Sequence, residues 1–232
     1  MSNSIQERFE IIKERIHSSC KKAGRDPSEV SLIAVSKTKP DEDVRKLLEL
    51  GQLHFGENRV EALEKRMKNV PSEEAVWHYI GNLQTNKIKY LAPRVDWIQS
   101  VHSLKALKEV EKRAGSHNRK IQVLIQVNIS SEEQKSGCTP EELETILTYG
   151  ENLGHAIVRG LMGMATFTDD LEIVRSEFRT LRELRDRFSH LERGSVKLEH
   201  LSMGMTNDLE VAIEEGSTML RIGTAIFGER NY

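Results

Sequence analysis

The chain has 232 residues, 38% of them hydrophobic, with 34 Lys+Arg against 36 Asp+Glu. That length suits one α/β barrel of about 250 residues or two small domains, and it buries a core without disulfide staples. Balanced charge leaves no basic footprint for nucleic acid or an anionic membrane, and no apolar run is long enough to span one.

Ile5, Phe9, Ile12 and Ile16 recur with charges between them, which predicts an amphipathic helix and not a signal peptide. Beyond it, short runs rich in Val, Ile and Leu alternate with longer charged stretches. The apolar runs are residues 30–37, 54–57, 76–81, 95–101, 121–129, 157–164, 198–203 and 219–227. Helical patterns lie between them at 41–50, 60–68, 86–91, 104–114, 140–152, 171–188 and 209–215. Continuous apolar strands alternating with helices predict a parallel sheet covered by helices. Pro40 and Thr139-Pro140 mark helix starts, with Thr139 as an N-cap. Asn207 with Glu210 resembles a capping box, and Gly51 and Gly216 stand where helices stop. No linker divides the chain, and the turn after the first run, Ser36-Lys37-Thr38-Lys39-Pro40, is not a dinucleotide fingerprint. The expected fold is therefore α/β: a single (β/α)8 TIM barrel over residues 1–232 with an extra N-terminal helix. Cys20 and Cys138 form no CxxC and no metal spacing, so both are read as free thiols of a reducing, cytoplasmic compartment. The sequon at Asn128 falls in a predicted buried strand and is discounted.

In such a barrel the chemistry stands at the C-terminal ends of the strands, and phosphate often binds the loops after strands seven and eight. Here those loops hold Ser202, Gly204 and Thr206, then Gly223 and Thr224. Hydroxyls, permissive backbone and a helix start suit a dianion; ordinary turn chemistry explains the same residues. Lys37 follows Leu32-Ile33-Ala34-Val35. Desolvated in the barrel mouth, its amine would be freed to attack an aldehyde. Lys39 competes for the role, and either lysine could merely snorkel at a strand end. Arg221 interrupts the apolar run Met219-Leu220-x-Ile222. A buried guanidinium needs a partner, either a carboxylate such as Glu57 or the ring nitrogen of a bound cofactor.

Several blocks, in order, carry a family resemblance. They are Ala34-Val35-Ser36-Lys37-Thr38-Lys39-Pro40, Phe55-Gly56-Glu57-Asn58, Trp77-His78-Tyr79-Ile80-Gly81-Asn82-Leu83-Gln84-Thr85-Asn86-Lys87 and Gly160-Leu161-Met162-Gly163-Met164. Leu201-Ser202-Met203-Gly204-Met205-Thr206-Asn207-Asp208 and Arg221-Ile222-Gly223-Thr224-Ala225-Ile226-Phe227-Gly228 complete them. Along its whole length the chain resembles the YggS/PROSC-type pyridoxal 5′-phosphate (PLP) homeostasis proteins. The resemblance implies a barrel like the N-terminal domain of alanine racemase, with PLP as a Schiff base on Lys37. It implies phosphate contacts from Ser202, Gly223 and Thr224, joined by Thr206. It also puts Asn58 beside the ring and Arg221 at the pyridine nitrogen. A permanent cation there disfavours ring protonation and weakens the electron sink, which suits a carrier without a catalytic residue.

The expected function is buffering or delivery of PLP in vitamin B6 homeostasis by a monomer in transient contact with PLP-dependent apo-enzymes. The alternative is a racemase-like PLP enzyme; of Tyr79, Tyr90, Tyr149 and Tyr232, none stands in a motif recognisable as the racemase base. A metal-dependent hydrolase is a third reading. His54, His78, His102 and His200 lie near strands, but without HxH or a carboxylate set, so no metal is expected.

Overall fold

A computed structural model describes residues 4–130 and 136–229. Eight strands close a parallel barrel in the order β1-β2-β3-β4-β5-β6-β7-β8. They are β1 Ser31–Val35, β2 His54–Glu57, β3 Val76–Tyr79, β4 Trp97–Val101, β5 Ile121–Gln126, β6 Ala156–Met162, β7 Val196–Ser202 and β8 Met219–Ile222. The described helices are α1 Ile5–Lys22, α2 Asp41–Glu49, α3 Val60–Asn69, α4 Ile88–Leu91, α5 Leu104–Ser116, α6 Pro140–Gly150, α7 Leu171–Arg187, α8 Leu209–Glu214 and α9 Thr224–Phe227. This is the expected (β/α)8 barrel.

Alternation along each strand divides the apolar residues into two cores. Outward residues such as Ala34, Phe55, Trp77 and Leu201 join the helices in one large cluster. Ile33, Leu124, Met162 and Met219, with Trp97 and Met164 against them, fill the barrel interior. The interior is thus packed and not a pore.

The extra helix α1 starts in a capping box between Ser4 and Glu7 and buries Phe9, Ile12, Ile16 and Cys20. Its arginines reach the end of the chain. Arg8 donates to Ile226 O at 2.7 Å, and Arg15 to Thr206 O at 3.1 Å and to Glu210. Arg25, just past the helix, donates to Ile213 O and Ser217 O. The helix therefore braces the two loops at which phosphate was expected.

Thr139 caps α6 in a capping box with Glu142. The box expected of Asn207 and Glu210 does not form. Asp208 is the N-cap of α8, and its carboxylate accepts from Met205 N at 2.5 Å instead of from the helix. The run 219–227 is also two elements, because the strand stops at Ile222 and α9 follows Gly223. Unbroken apolar character does not distinguish a buried strand from a buried helical turn.

Gly160 lies where β6 slips register against β7, between Val158↔Val196 and Gly160↔His200. Its φ is 150°, and a Cβ there would stand 1.9 Å from His200 O. Gly160→Ala should therefore cost about 3 kcal/mol or more, because backbone and not a pliable side chain must yield. Urea unfolding would measure it; a cost under about 0.5 kcal/mol, the range of a neutral surface change, would contradict this account of the β6–β7 bulge.

Candidate functional site

The closing seam of the barrel brings the two ends of the chain together. Strand β1 pairs with β8 in the register Ser31↔Met219, Leu32↔Leu220, Ile33↔Arg221 and Ala34↔Ile222. Ile33 and Met219 both point into the interior. Period-two alternation then puts Val35 on the inward line of β1 and Arg221 on that of β8; Lys37 and Gly223 follow just past those strand ends. A Cβ on Gly223 would stand 3.3 Å from Val35 O, so glycine permits this close approach.

Lys37 is half-buried in the turn after β1. The turn is held from outside by Arg66 of α3, a buried residue on that helix's apolar face. Its guanidinium donates to Ser36 O at 3.1 Å and Lys39 O at 2.6 Å, one on each side of Lys37. It also donates to Asp41 Oδ1 at 2.5 Å and lies 3.5 Å from Glu57 Oε1. Thr38 completes the turn with φ 65°, a left-handed conformation that costs a β-branched residue about 1–3 kcal/mol. Lys39 donates its ammonium hydrogens to Gly228 O and Glu229 O at 2.7 and 2.6 Å.

Glu57 is fully buried, and Ser36 Oγ donates to its Oε1 at 2.7 Å. Burial raises its pKa, while Ser36, Arg66 and the charge of Lys37 oppose the rise. Phe55, two residues back, faces the outer core. Glu57 therefore points outward towards α3, on the opposite face of the sheet from Arg221, and the two do not pair.

Arg221 finds its partners inside the barrel. Its Nη1 donates to Ser202 Oγ at 2.6 Å and its Nη2 to Gly163 O at 3.0 Å. Burial pulls its pKa down to about 10, against the nearby charge of Asp208, so it stays cationic at neutral pH. Ser202 is completely buried and donates its own hydrogen to Gln99 Oε1 at 2.7 Å. Its hydroxyl is engaged beneath the mouth by Gln99 and Arg221, so in this structure it supports the guanidinium. Thr206 is half-buried, Thr224 is exposed and Asn58 is half-buried, each just past a strand end. Among the expected residues, the structure thus gathers Lys37, Arg221, Gly223 and Thr224 at one seam, with Thr206 on the adjoining loop.

Behind Ser202 lies a row of polar groups that the strand patterns concealed. Gln99 Nε2 is 2.9 Å from His78 Nδ1, and His78 Nε2 is 3.0 Å from His54 Nδ1. Trp97 stacks on His78 with 5.4 Å between ring centroids and meets the His200 ring edge-on. No group of three or more metal-ligating side chains occurs among the described residues. Cys138 is buried and its thiol is pushed up to about 12; burial also raises that of Cys20. Neither thiol has the depressed pKa of a reactive cysteine. Lys135, a further candidate amine, and Tyr232 lie outside the described residues.

The alanine racemase N-terminal domain family matches residues 10–231. The pyridoxal phosphate homeostasis protein of Aquifex aeolicus is 44% identical over 227 residues, covering 97% of this chain and 98% of that one. A crystal structure of an unknown protein from Bifidobacterium adolescentis matches with a TM-score of 0.90 at 33% identity, over 96% of this chain and 94% of that one. PipY of Synechococcus elongatus, solved with PLP bound, matches with a TM-score of 0.83 at 30% identity, over 97% of this chain and the whole of that one.

The three interior histidines make stability depend on pH. Burial lowers the pKa of His54, His78 and His200 below the ordinary 6.5, most strongly for His78. The unfolded chain then takes up protons before the folded one, so this stability is present above about pH 6.5 and is lost as pH falls towards the folded values. Glu57 acts with the opposite sign, its raised pKa giving stability that is lost as pH rises. The histidine share is read from the difference between parent and His78→Gln: the denaturation midpoint of the parent should drop more steeply between pH 7 and 5.5. Parallel curves would show that His78 is not buried neutral.

Proposed function

The chain belongs to the alanine racemase N-terminal domain family, and on that premise we propose that it is a PLP homeostasis protein, which binds the cofactor at the β1–β8 seam and buffers or delivers it. The observation that carries the reading is the donor set assembled there. One amine, Lys37, stands half-buried in the turn just past the end of β1. A buried cation, Arg221, lies in register beside the same strand. Hydroxyl and close-approach backbone positions follow at Thr206, Gly223 and Thr224. An aldehyde needs the first and a phosphate the last; a pyridine nitrogen, an acceptor, is met by the second.

Bound PLP supplies a reactive aldehyde and a ring able to draw electrons. Lys37 holds the aldehyde covalently and reversibly, and the Arg66 clamp keeps the turn that presents it. Thr206, Gly223 and Thr224 would hold the phosphate, Asn58 would lie beside the ring, and Arg221 would donate towards the ring nitrogen with Ser202 behind it. A guanidinium does not give up its proton at neutral pH and repels a second positive charge. The ring nitrogen of bound PLP would therefore stay unprotonated, which supports a site that holds the cofactor rather than one that stabilises carbanions.

The tyrosines fit a carrier. Tyr79 is buried and donates to Asn82 O, while Tyr90 and Tyr149 lie on the surface against Lys89 and Lys108. Among the described residues no tyrosine stands at the seam as a base. The working form is a cytoplasmic monomer that meets PLP-dependent apo-enzymes transiently; no described helix is long and apolar enough to cross a membrane.

PLP should bind at least about a hundredfold more tightly than pyridoxal, since two or more hydrogen bonds to a charged group are lost with the phosphate at about 1.5–3 kcal/mol each. Equilibrium dialysis measures the ratio, and the loaded protein should reactivate a PLP-dependent apo-enzyme without exchanging amino-acid α-protons itself. Equal affinities would remove the phosphate site, and α-proton exchange at enzymatic rates would make the protein a catalyst.

A further inference from the structure

We propose that Gln99 is a positioning residue of the cofactor site: through Ser202 it aims Arg221, and its own amide is set by His78 and His54. What Arg221 faces rests on the PLP reading above, whereas the row of hydrogen bonds is a property of the protein alone.

The direction of the row follows from the one group in it that cannot accept together with the orientation of the Gln99 amide, which turns Oε1 to Ser202 and Nε2 to His78. Arginine carries only donors. Arg221 therefore gives a hydrogen to Ser202 Oγ, and the single Ser202 hydrogen goes on to Gln99 Oε1. With its carbonyl so used, Gln99 presents its NH₂ to His78 Nδ1. That nitrogen must be bare, so neutral His78 carries its hydrogen on Nε2 and donates it to His54 Nδ1. His54 in turn carries its hydrogen on Nε2. The row draws on β8, β7, β4, β3 and β2, and every donor in it points away from the seam towards the start of β2. Trp97, stacked on His78 with 14° between the planes, fixes the ring through which the direction passes.

The choice of an amide at residue 99 has a chemical consequence. Gln99, Ser202 and His78 are all fully buried, so each donor or acceptor left unmatched costs the whole of its lost solvation. An amide meets both neighbours, one through each end, and brings no charge. A carboxylate in its place would offer acceptors at both ends. His78 would have to shift its hydrogen to Nδ1, and the negative charge would offset Arg221 within the same buried row. Glutamine thus directs the guanidinium while leaving its positive charge to act at the seam.

The test uses the full-length protein labelled with 15N-histidine, as parent, Gln99→Glu and Gln99→Met, each checked by circular dichroism. Long-range 1H–15N spectra at pH 7.5 report which ring nitrogen carries the hydrogen. The parent should show His78 and His54 protonated on Nε2, and Gln99→Glu should show His78 switched to Nδ1. On titration with PLP, Gln99→Met should bind about tenfold more weakly, as expected for one lost buried hydrogen bond. Gln99→Glu should change the absorption band that reports ring-nitrogen protonation. An Nδ1–H on His78 in the parent, which needs no variant to observe, would overturn the row. A folded Gln99→Glu that leaves the tautomer unchanged would overturn it as well. A switched tautomer with PLP affinity and band both unaltered would show that the row does not reach the cofactor and would end the positioning role. Failure of the parent itself to take up PLP would leave the tautomers in place and strike the functional reading instead.

Discussion

The site exists because the first strand of the barrel pairs with the last. Lys37 and Arg221 come from opposite ends of the chain, and only the β1–β8 register, Ile33↔Arg221 and Ala34↔Ile222, makes them neighbours. Closing so long a loop has an entropic cost that is recovered only when both cores pack. The binding residues therefore cannot assemble in a partly folded chain. Helix α1 adds to the same end: Arg8 and Arg15 tie it to the α9 turn and to the Thr206 loop.

Around the seam, rigidity is supplied from two sides by two buried arginines with different tasks. Arg66 lies outside the sheet and acts on backbone carbonyls and carboxylates, where it fixes the strained Lys37 turn and neutralises Glu57. Arg221 lies inside and donates to neutral acceptors, Ser202 and Gly163 O. The same side chain is thus a structural counter-ion in one place and, in the other, a cation hydrogen-bonded to neutral groups with the charge of Asp208 nearby. The difference is set by which face of the sheet each occupies.

Much of this was legible in the residues. Eight apolar runs at regular spacing announced the barrel because parallel strands buried on both faces read as continuous hydrophobic segments. Lys37 and Arg221 stood out as charges at the end of, or inside, such runs. The bonds of Ser202 to Gln99 and Arg221 were not legible, because sequence does not say whether a strand-end hydroxyl points up into the mouth or in towards the axis. Gln99 and His78 interrupt Trp97-Ile98-Gln99-Ser100-Val101 and Val76-Trp77-His78-Tyr79 as Arg221 interrupts its own strand. The same question of partnership, asked of them, would have found the row. Arg66 gave a comparable signal, an arginine at helical spacing with Val60 and Leu63 on the buried face of α3, but its partners lie in another loop and only the fold joins them.

The central claim is that Lys37, and no other amine, holds the cofactor. The most direct measurement is borohydride reduction of the PLP-loaded full-length protein, followed by proteolysis and mass mapping of the pyridoxyl adduct. The account predicts one stoichiometric adduct, on the peptide containing Lys37 and on that residue. An adduct fixed on Lys39 or Lys135 instead, or no reducible adduct in a protein that still binds PLP, would contradict it.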